Sequence, residues 1–299
     1  MNPPTFSAVV VARDEEALIR RCLESLRWCD ERILVDMESR DRTRERAEGL
    51  ATRIVPHEWI PHMEFARNRG IALATGEWIL VVDADETIPP KLAARLRAQV
   101  GADPGAAGIW IPRLNHSFGL PVPHVGGFPD RQLRCFRRGA GLYPDRLHSH
   151  PKLAGRTVRL PVEDGAWIVH ERYLSMGELV RKWDEYAEKE ARQRVRDGAA
   201  FPGPLAMLWV PLSAFRFRFF TAAGYKDGLA GLVLSVLFAF YRFEVEAKTW
   251  EAFGYGDRWD RETRRLRSLP RLGLALARHG LGRLLGRRRR PPRGAGGAP

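Results

Sequence analysis

The sequence predicts an α/β chain: a mostly parallel sheet with flanking helices, continued by a helical C-terminal region. Three observations carry this. Strand-like and helix-like patterns alternate four times over about the first 100 of the 299 residues, the signature of parallel strands joined by crossover helices. The strand runs are apolar throughout rather than alternating, as expected where both faces of a sheet are covered. Acidic residues cluster where several of these runs end, and ligands of such sheets bind beyond the carboxyl ends of the strands.

Residues 6–12, FSAVVVA, form the first expected strand. The charged RDEE follows, then EALIRRCLESLRW, in which Leu18, Cys22, Leu26 and Cys29 share one helical face. RILVD is the second strand, ending at Asp36, and SRDRTRERAEGLA reads as a helix with Ser39 or Asp41 as its N-cap. RIVPHEW is a short third strand with its exit loop. MEFARNRGIALATG is a helix that Gly76 is expected to close at C′. WILVVDAD is the fourth strand, and PPKLAARLRAQV is a helix with proline in its first turn. From about residue 105 the pattern turns strand-rich in GIWIPRL, RQLRCFRR and RTVRLPVEDGAWIVH. SMGELVRKWDEYAEKEARQRVRDG is strongly helical, and two apolar blocks follow at 205–220 and 229–243. The expected division is an α/β domain at 1–175, with one half to about 100 and a second half beyond it. A helical region at 176–286 and a basic low-complexity tail at 287–299 complete the chain.

Composition narrows the function classes. Of the formal net charge of +13, +11 lies between Arg261 and Arg293, where twelve Arg face one Glu, so the basicity belongs to the tail. Cys22, Cys29 and Cys135 have no metal-ligand spacing and cannot all pair, which fits a reducing compartment. The N-terminus runs directly into a strand without a basic n-region, so no signal peptide is expected. Glycine-rich phosphate loops are absent, which argues against a dehydrogenase or an NTPase. RRRR at 287–290 resembles a nucleic-acid tail, but no recognition motif accompanies it and no nucleic acid is expected as partner.

Five ordered blocks carry a resemblance: FSAVVVARDEEALIRRCLESL, RILVDMESRDRT, FARNRGIALATGEWILVVDADE, PDRQLRCFRRG and GYKDGLAGL. Over roughly residues 6–255 the chain resembles the family 2 glycosyltransferases, in particular those that add sugars to lipopolysaccharide cores and other envelope glycans. The resemblance implies a GT-A fold, a nucleotide-sugar donor (UDP-linked in the first instance), a divalent cation, Mg²⁺ or Mn²⁺, and inversion at the anomeric carbon. Three loops depart from the family pattern. Asp14-Glu15-Glu16 stands for Asn-Glu-Glu, Asp36-Met37-Glu38-Ser39 for Asp-Ser-Gly-Ser, and His148-Ser149-His150 for a His-Glu pair.

A diphosphate leaving group develops negative charge, and with no glycine loop to receive it a divalent cation is the natural counter-charge. Asp85 is the expected direct ligand, and Asp83 is expected at the ribose or in the metal shell; Glu86 has the weakest claim of the three acids and is expected to support the next helix. Asp36 resembles the family's base-reading aspartate, with Asp14 and Glu15 flanking the same pocket; plain helix N-terminal charge is the alternative for the last two. Arg67 and Asn68 match a block near the donor phosphates, or else line a solvated helix face. The general base that inversion requires has three candidates, Asp130, Asp145 and His148, with Asp130 preferred and His148 alternatively near the metal or pyrophosphate. Arg131 and Arg134 are expected to hold phosphate or an anionic acceptor, unless RQLRCFRR is a solvent-facing edge.

The apolar blocks are each shorter than the roughly 20 residues that span a bilayer. Arg216 and Arg218 among aromatics suit a helix lying in the interface, and the tail adds attraction to anionic lipid. The expectation is a cytoplasmic enzyme peripherally attached to the inner face of the cytoplasmic membrane and acting on a lipid-linked glycan. Internal burial of both blocks is the alternative. Rival readings of the whole chain are a nucleotidyltransferase and a catalytically silent membrane-associated scaffold.

Overall fold

The computed structural model describes residues 3–60, 63–144, 150–200 and 202–254. In chain order the elements are β1 (Phe6–Ala12), α1 (Ile19–Ser25), β2 (Glu31–Asp36), α2 (Thr43–Ala47), β3 (Arg53–Pro56), α3 (Met63–Leu73), β4 (Trp78–Asp83), β5 (Glu86–Thr87) and α4 (Pro90–Ala102). They continue with β6 (Gly108–Ser117), β7 (Leu120–Pro121), β8 (Asp130–Arg137), β9 (Gly141–Leu142), β10 (Lys152–Leu153), β11 (Thr157–Arg159) and β12 (Ile168–Tyr173). The last elements are α5 (Met176–Arg196), α6 (Pro204–Arg216) and α7 (Gly228–Ala252).

The main sheet runs β3-β2-β1-β4-β8-β6-β12-β5. Its first four strands are parallel; β8 then enters antiparallel between β4 and β6. Successive side chains of a strand point to opposite faces, and here both faces are dry. Phe6, Ala8, Val10, Leu34, Leu80 and Val82 pack with Ile19 and Leu23 of α1 and Leu92 and Leu96 of α4. Val9, Val11, Ile33, Val35, Ile79 and Val81 pack with Ala66 and Ile71 of α3. That double burial is why the runs carry no polar alternation.

Local expectations fail in instructive places. The helix after β2 shrinks to Thr43–Ala47; Ser39 takes the Asp14 N–H instead of capping it, whereas Asp41 accepts the Thr43 N–H through Oδ1 at 2.9 Å and the Glu16 N–H through Oδ2. Gly76 is not a helix C′ residue, since α3 ends at Leu73. Its N–H donates to Ser7 Oγ at 2.8 Å, and a Cβ there would lie 2.7 Å from the Ser7 nitrogen. A close backbone approach, not a left-handed turn, requires glycine at this position.

Two compact units emerge. The first takes in the described residues of 1–181 together with 216–236; the second, those of 182–215 and from 237 onward. In the second, α5 and α7 are tied by charge: Glu190 accepts from Tyr241 Oη and from Arg242 at 2.8 Å, and Arg194 donates to Glu246 at 2.7 Å. The apolar run at 229–243 continues without a break into a helix of 25 residues. By length and composition α7 can therefore cross a membrane, which corrects the expectation drawn from the run alone. Arg218 is only partly exposed and donates to the Val125 carbonyl at 2.8 Å.

Candidate active site

At the end of β4 the chain makes a tight turn over Ala84-Asp85 and re-enters the sheet as β5, antiparallel to β12 with Glu86 opposite His170. The turn sends the three acids of EWILVVDADET to three different sets of partners. Asp83 takes two guanidiniums, Arg67 of α3 at 2.6 Å and Arg134 of β8. Burial by itself would raise its carboxyl, but Arg134 and Arg67 outweigh burial and hold it far below the ordinary carboxylate range. Glu86 is fully buried; it accepts the Asp83 N–H at 3.0 Å and Arg113 Nη1 at 2.8 Å. Only Asp85 faces no arginine among its partners. Its Oδ2 lies 3.2 Å from His170 Nε2, and its carbonyl accepts the Glu171 N–H at 2.9 Å.

From Glu86 the network runs on to Asp130. Arg113 donates through Nε and Nη2 to Asp130 Oδ2 at 2.9 and 2.6 Å, and Gln132 donates to Oδ1 at 2.8 Å. Burial opposes the charged form of Asp130, yet Arg113 prevails and its carboxyl is held below the usual value. Such a carboxylate is ionised at neutral pH but is a weakened base. Arg134, expected on phosphate, instead neutralises Asp83; Arg131 donates to the Leu160 carbonyl at 2.6 Å.

The nucleoside-side candidates lie where β1 and β2 end. Asp14 Oδ1 accepts the Arg40 N–H at 2.7 Å, and the Asp14 N–H donates to Ser39 Oγ at 3.1 Å. The Glu15 N–H donates to Thr43 Oγ1 at 2.8 Å, and the Glu16 N–H to Asp41 at 2.9 Å. The two loops are thus stitched together chiefly through backbone N–H groups. Asp36 is buried at the foot of this seam, with Arg44 3.7 Å away. Asp14 and Glu38 both adopt left-handed backbone, φ 54° and 55°. These are two of the places where the sequence departs from the family's Asn and Gly, residues that enter this region at less cost. Arg13 lies over the exposed ring of Trp59, 4.9 Å from its centroid, on the same rim.

Asn68 parts company with Arg67. Its amide donates to the Tyr143 carbonyl at 2.8 Å and accepts the Tyr143 N–H at 2.9 Å, so it pins the chain where it leaves β9. His148 and Asp145 lie outside the described residues. Sequence reasoning undervalued Glu86 and missed Arg113 and Asn115 altogether. The signal for Glu86 was its place directly behind the acid pair. Nothing local points to Arg113 or Asn115, which reach the site only because β6 enters the sheet beside β8 and β12.

Residues 7–145 match the family described as Glycosyl transferase family 2. The chain is similar to the lipopolysaccharide core biosynthesis glycosyltransferase LpsC of Rhizobium meliloti, 26% identical over 250 residues that cover 82% of this chain and 92% of that protein. It is also similar to an uncharacterized glycosyltransferase of Rickettsia typhi, 25% identical over 263 residues, 82% of this chain and 87% of the relative. Among solved structures, S. aureus TarS 1-349 in complex with UDP-GlcNAc superposes with a TM-score of 0.45 and 16% identity, covering 82% of this chain and 83% of that one.

Proposed function

We propose that this glycosyltransferase, whose residues 7–145 match glycosyl transferase family 2, transfers a sugar from a UDP-sugar to a lipid-linked envelope glycan of the lipopolysaccharide-core type. The observation that carries this reading is the divergence of the three acids at the end of β4. Asp83 and Glu86 are neutralised by arginines, while Asp85 is left beside an imidazole. A carboxylate oxygen and an imidazole nitrogen form a donor set suited to Mn²⁺ and acceptable to Mg²⁺. Among the described residues no group of three or more such side chains gathers, which fits a cation whose remaining ligands are diphosphate oxygens and water. In this reading Asp85 and His170 hold the cation, which when bound stabilises the charge of the leaving diphosphate. Asp83, expected as a ligand, orients Arg67 and Arg134 beside the donor instead. Asp36, Asp14 and Glu15 frame the nucleoside pocket, and Asn68 serves by holding the chain at Tyr143.

Asp130 receives the acceptor proton in this proposal, with one oxygen released from Arg113 when the acceptor binds; His148 is the alternative base. Acceptor chemistry is inferred from the similarity to LpsC and from exposed apolar side chains. In the first unit Phe217, Phe220, Leu229 and Val236 are exposed, with Arg216 and Lys226 exposed on the same stretch; in the second, Leu208, Trp209 and Leu212 are exposed. These fit a bilayer interface on the cytoplasmic side. Lying in the interface suits α7 better than spanning, because the helix buries Glu246 in an ion pair with Arg194. The basic tail that would add anionic-lipid attraction lies outside the described residues.

The deciding experiment is a nucleotide-sugar panel with Mn²⁺ or Mg²⁺, read as thermal stabilisation and as donor hydrolysis. Asp85→Ala should lower turnover by about 10²-fold or more with the melting transition retained; undiminished turnover would sink the ligand assignment. Flotation with liposomes should require anionic lipid and weaken when residues 283–299 are removed. Flotation indifferent to both would remove the membrane from the account.

A further inference from the structure

The first unit contains a chain of contacts from the C-terminal segment to His170 that the proposed reaction does not require. Asn115 of β6 is buried, and its Nδ2 donates to the Gly126 carbonyl at 2.7 Å, with Asp130 Oδ2 3.5 Å away. Two acceptors on that side fix which way the amide points: the NH₂ faces them and Oδ1 faces the other way. Oδ1 meets His170 Nδ1 at 2.6 Å. An amide oxygen only accepts, so Nδ1 carries the hydrogen. In the neutral ring Nε2 then presents its lone pair toward Asp85, 3.2 Å distant. Two acceptors face each other there, an arrangement that a proton or a cation between them makes favourable.

The loop that carries Gly126 is itself held from far along the sequence, at His124 and Val125. Asp227 lies between α6 and α7 in sequence; its buried side chain accepts the backbone N–H of His124 at 3.1 Å and of Val125 at 2.8 Å, and takes His124 Nδ1 at 2.6 Å. Arg218 donates to the Val125 carbonyl at 2.8 Å. Gly224 lies so close to Val125 that a Cβ would come within 2.6 Å of the valine Cγ1. The segment after residue 216 therefore clamps the loop that orients Asn115.

We propose that Asn115 is a positioning residue that locks His170 in the Nδ1–H tautomer, and that Asp227 maintains this lock from the C-terminal segment. The consequence for cation binding rests on the assignment of Asp85 and His170 above; the tautomer does not. A hydrogen bond that fixes a ligating imidazole typically changes metal affinity 10–100-fold when removed.

The test is ¹⁵N NMR of histidine-labelled full-length protein, free of metal, at a pH where the ring is neutral, with His170 assigned by loss of its signals in His170→Gln. The expected spectrum shows His170 protonated on Nδ1, the tautomer that free neutral histidine disfavours. Asn115→Leu should release it to a mixture, Asn115→Asp should retain it, and Asp227→Asn should shift it partly toward the mixture. Protonation on Nε2 in the wild type would overturn the proposal, as would an unchanged tautomer in Asn115→Leu. If Asn115→Leu does not fold, the wild-type spectrum and Asp227→Asn still decide. Mn²⁺ titration followed by electron paramagnetic resonance should show affinity about 10-fold weaker or more in Asn115→Leu. A locked tautomer together with Mn²⁺ binding indifferent to Asp85→Ala would uphold this inference and overturn the ligand assignment.

Discussion

The two sides of the site hold their acids by different means. Where β1 and β2 end, carboxylates and hydroxyls of one loop take backbone N–H groups of the other, as Asp14 takes Arg40 and Ser39 takes Asp14. Where β4, β6 and β8 meet, guanidiniums take the carboxylates: Arg67 and Arg134 on Asp83, Arg113 on Glu86 and Asp130. The difference follows from solvent. Asp14 and Glu16 of the first seam are open to water, which tolerates an unmatched charge, while Asp36 at its foot is buried beside Arg44. Glu86 has no exposure and Arg134 very little, so each needs a full counter-charge. The second arrangement leaves Asp85 as the acid turned to an imidazole instead of an arginine.

Breaking the buried side should cost most. Asp83→Asn removes the nearest counter-charge of Arg67 and Arg134 and leaves them Glu64 and Glu86 at 3.8 Å, and urea denaturation should show a loss of about 3 kcal/mol. The same variant carries a pH signature. A carboxyl held below its ordinary value of 3.8 contributes its full stability above that value and loses it as the pH falls toward the lowered native one. Asp83→Asn should therefore flatten the acid limb of the stability profile; a limb as steep as the wild type's would show that other acids set it. Glu86→Gln keeps an acceptor for the Asp83 N–H but removes the charge facing Arg113, an expected loss of about 1–3 kcal/mol by chemical denaturation.

The open seam should respond weakly, and in the opposite direction at one position. Glu38 holds a left-handed conformation at φ 55°, which a side chain enters at a cost of about 1–2 kcal/mol and glycine does not. Glycine's larger unfolded-state entropy offsets part of that gain. Glu38→Gly should raise stability by up to about 1 kcal/mol in a thermal melt. A fall in stability would mean that the Glu38 side chain contributes to the seam.

The parallel half of the sheet was readable because local pattern decides it: a strand buried on both faces must be apolar throughout, and FSAVVVA and WILVV are. The acids at the strand ends, Asp14, Asp36, Asp83 and Asp85, were legible for the same reason, since parallel topology places strand ends together. Their division of labour was not. Asp83 and Asp85 are two residues apart and chemically identical; α3 and β8 bring an arginine pair to the first, and β5 turning back against β12 brings His170 to the second. Asn115 and Arg113 sit in a stretch that reads as an ordinary strand, and their partners lie 11 to 55 residues away. Sequence by itself determined which residues are buried and where the charge gathers, because burial and periodicity are local. Tertiary structure alone decided which charge meets which counter-charge, because those contacts are made by strands distant in the chain.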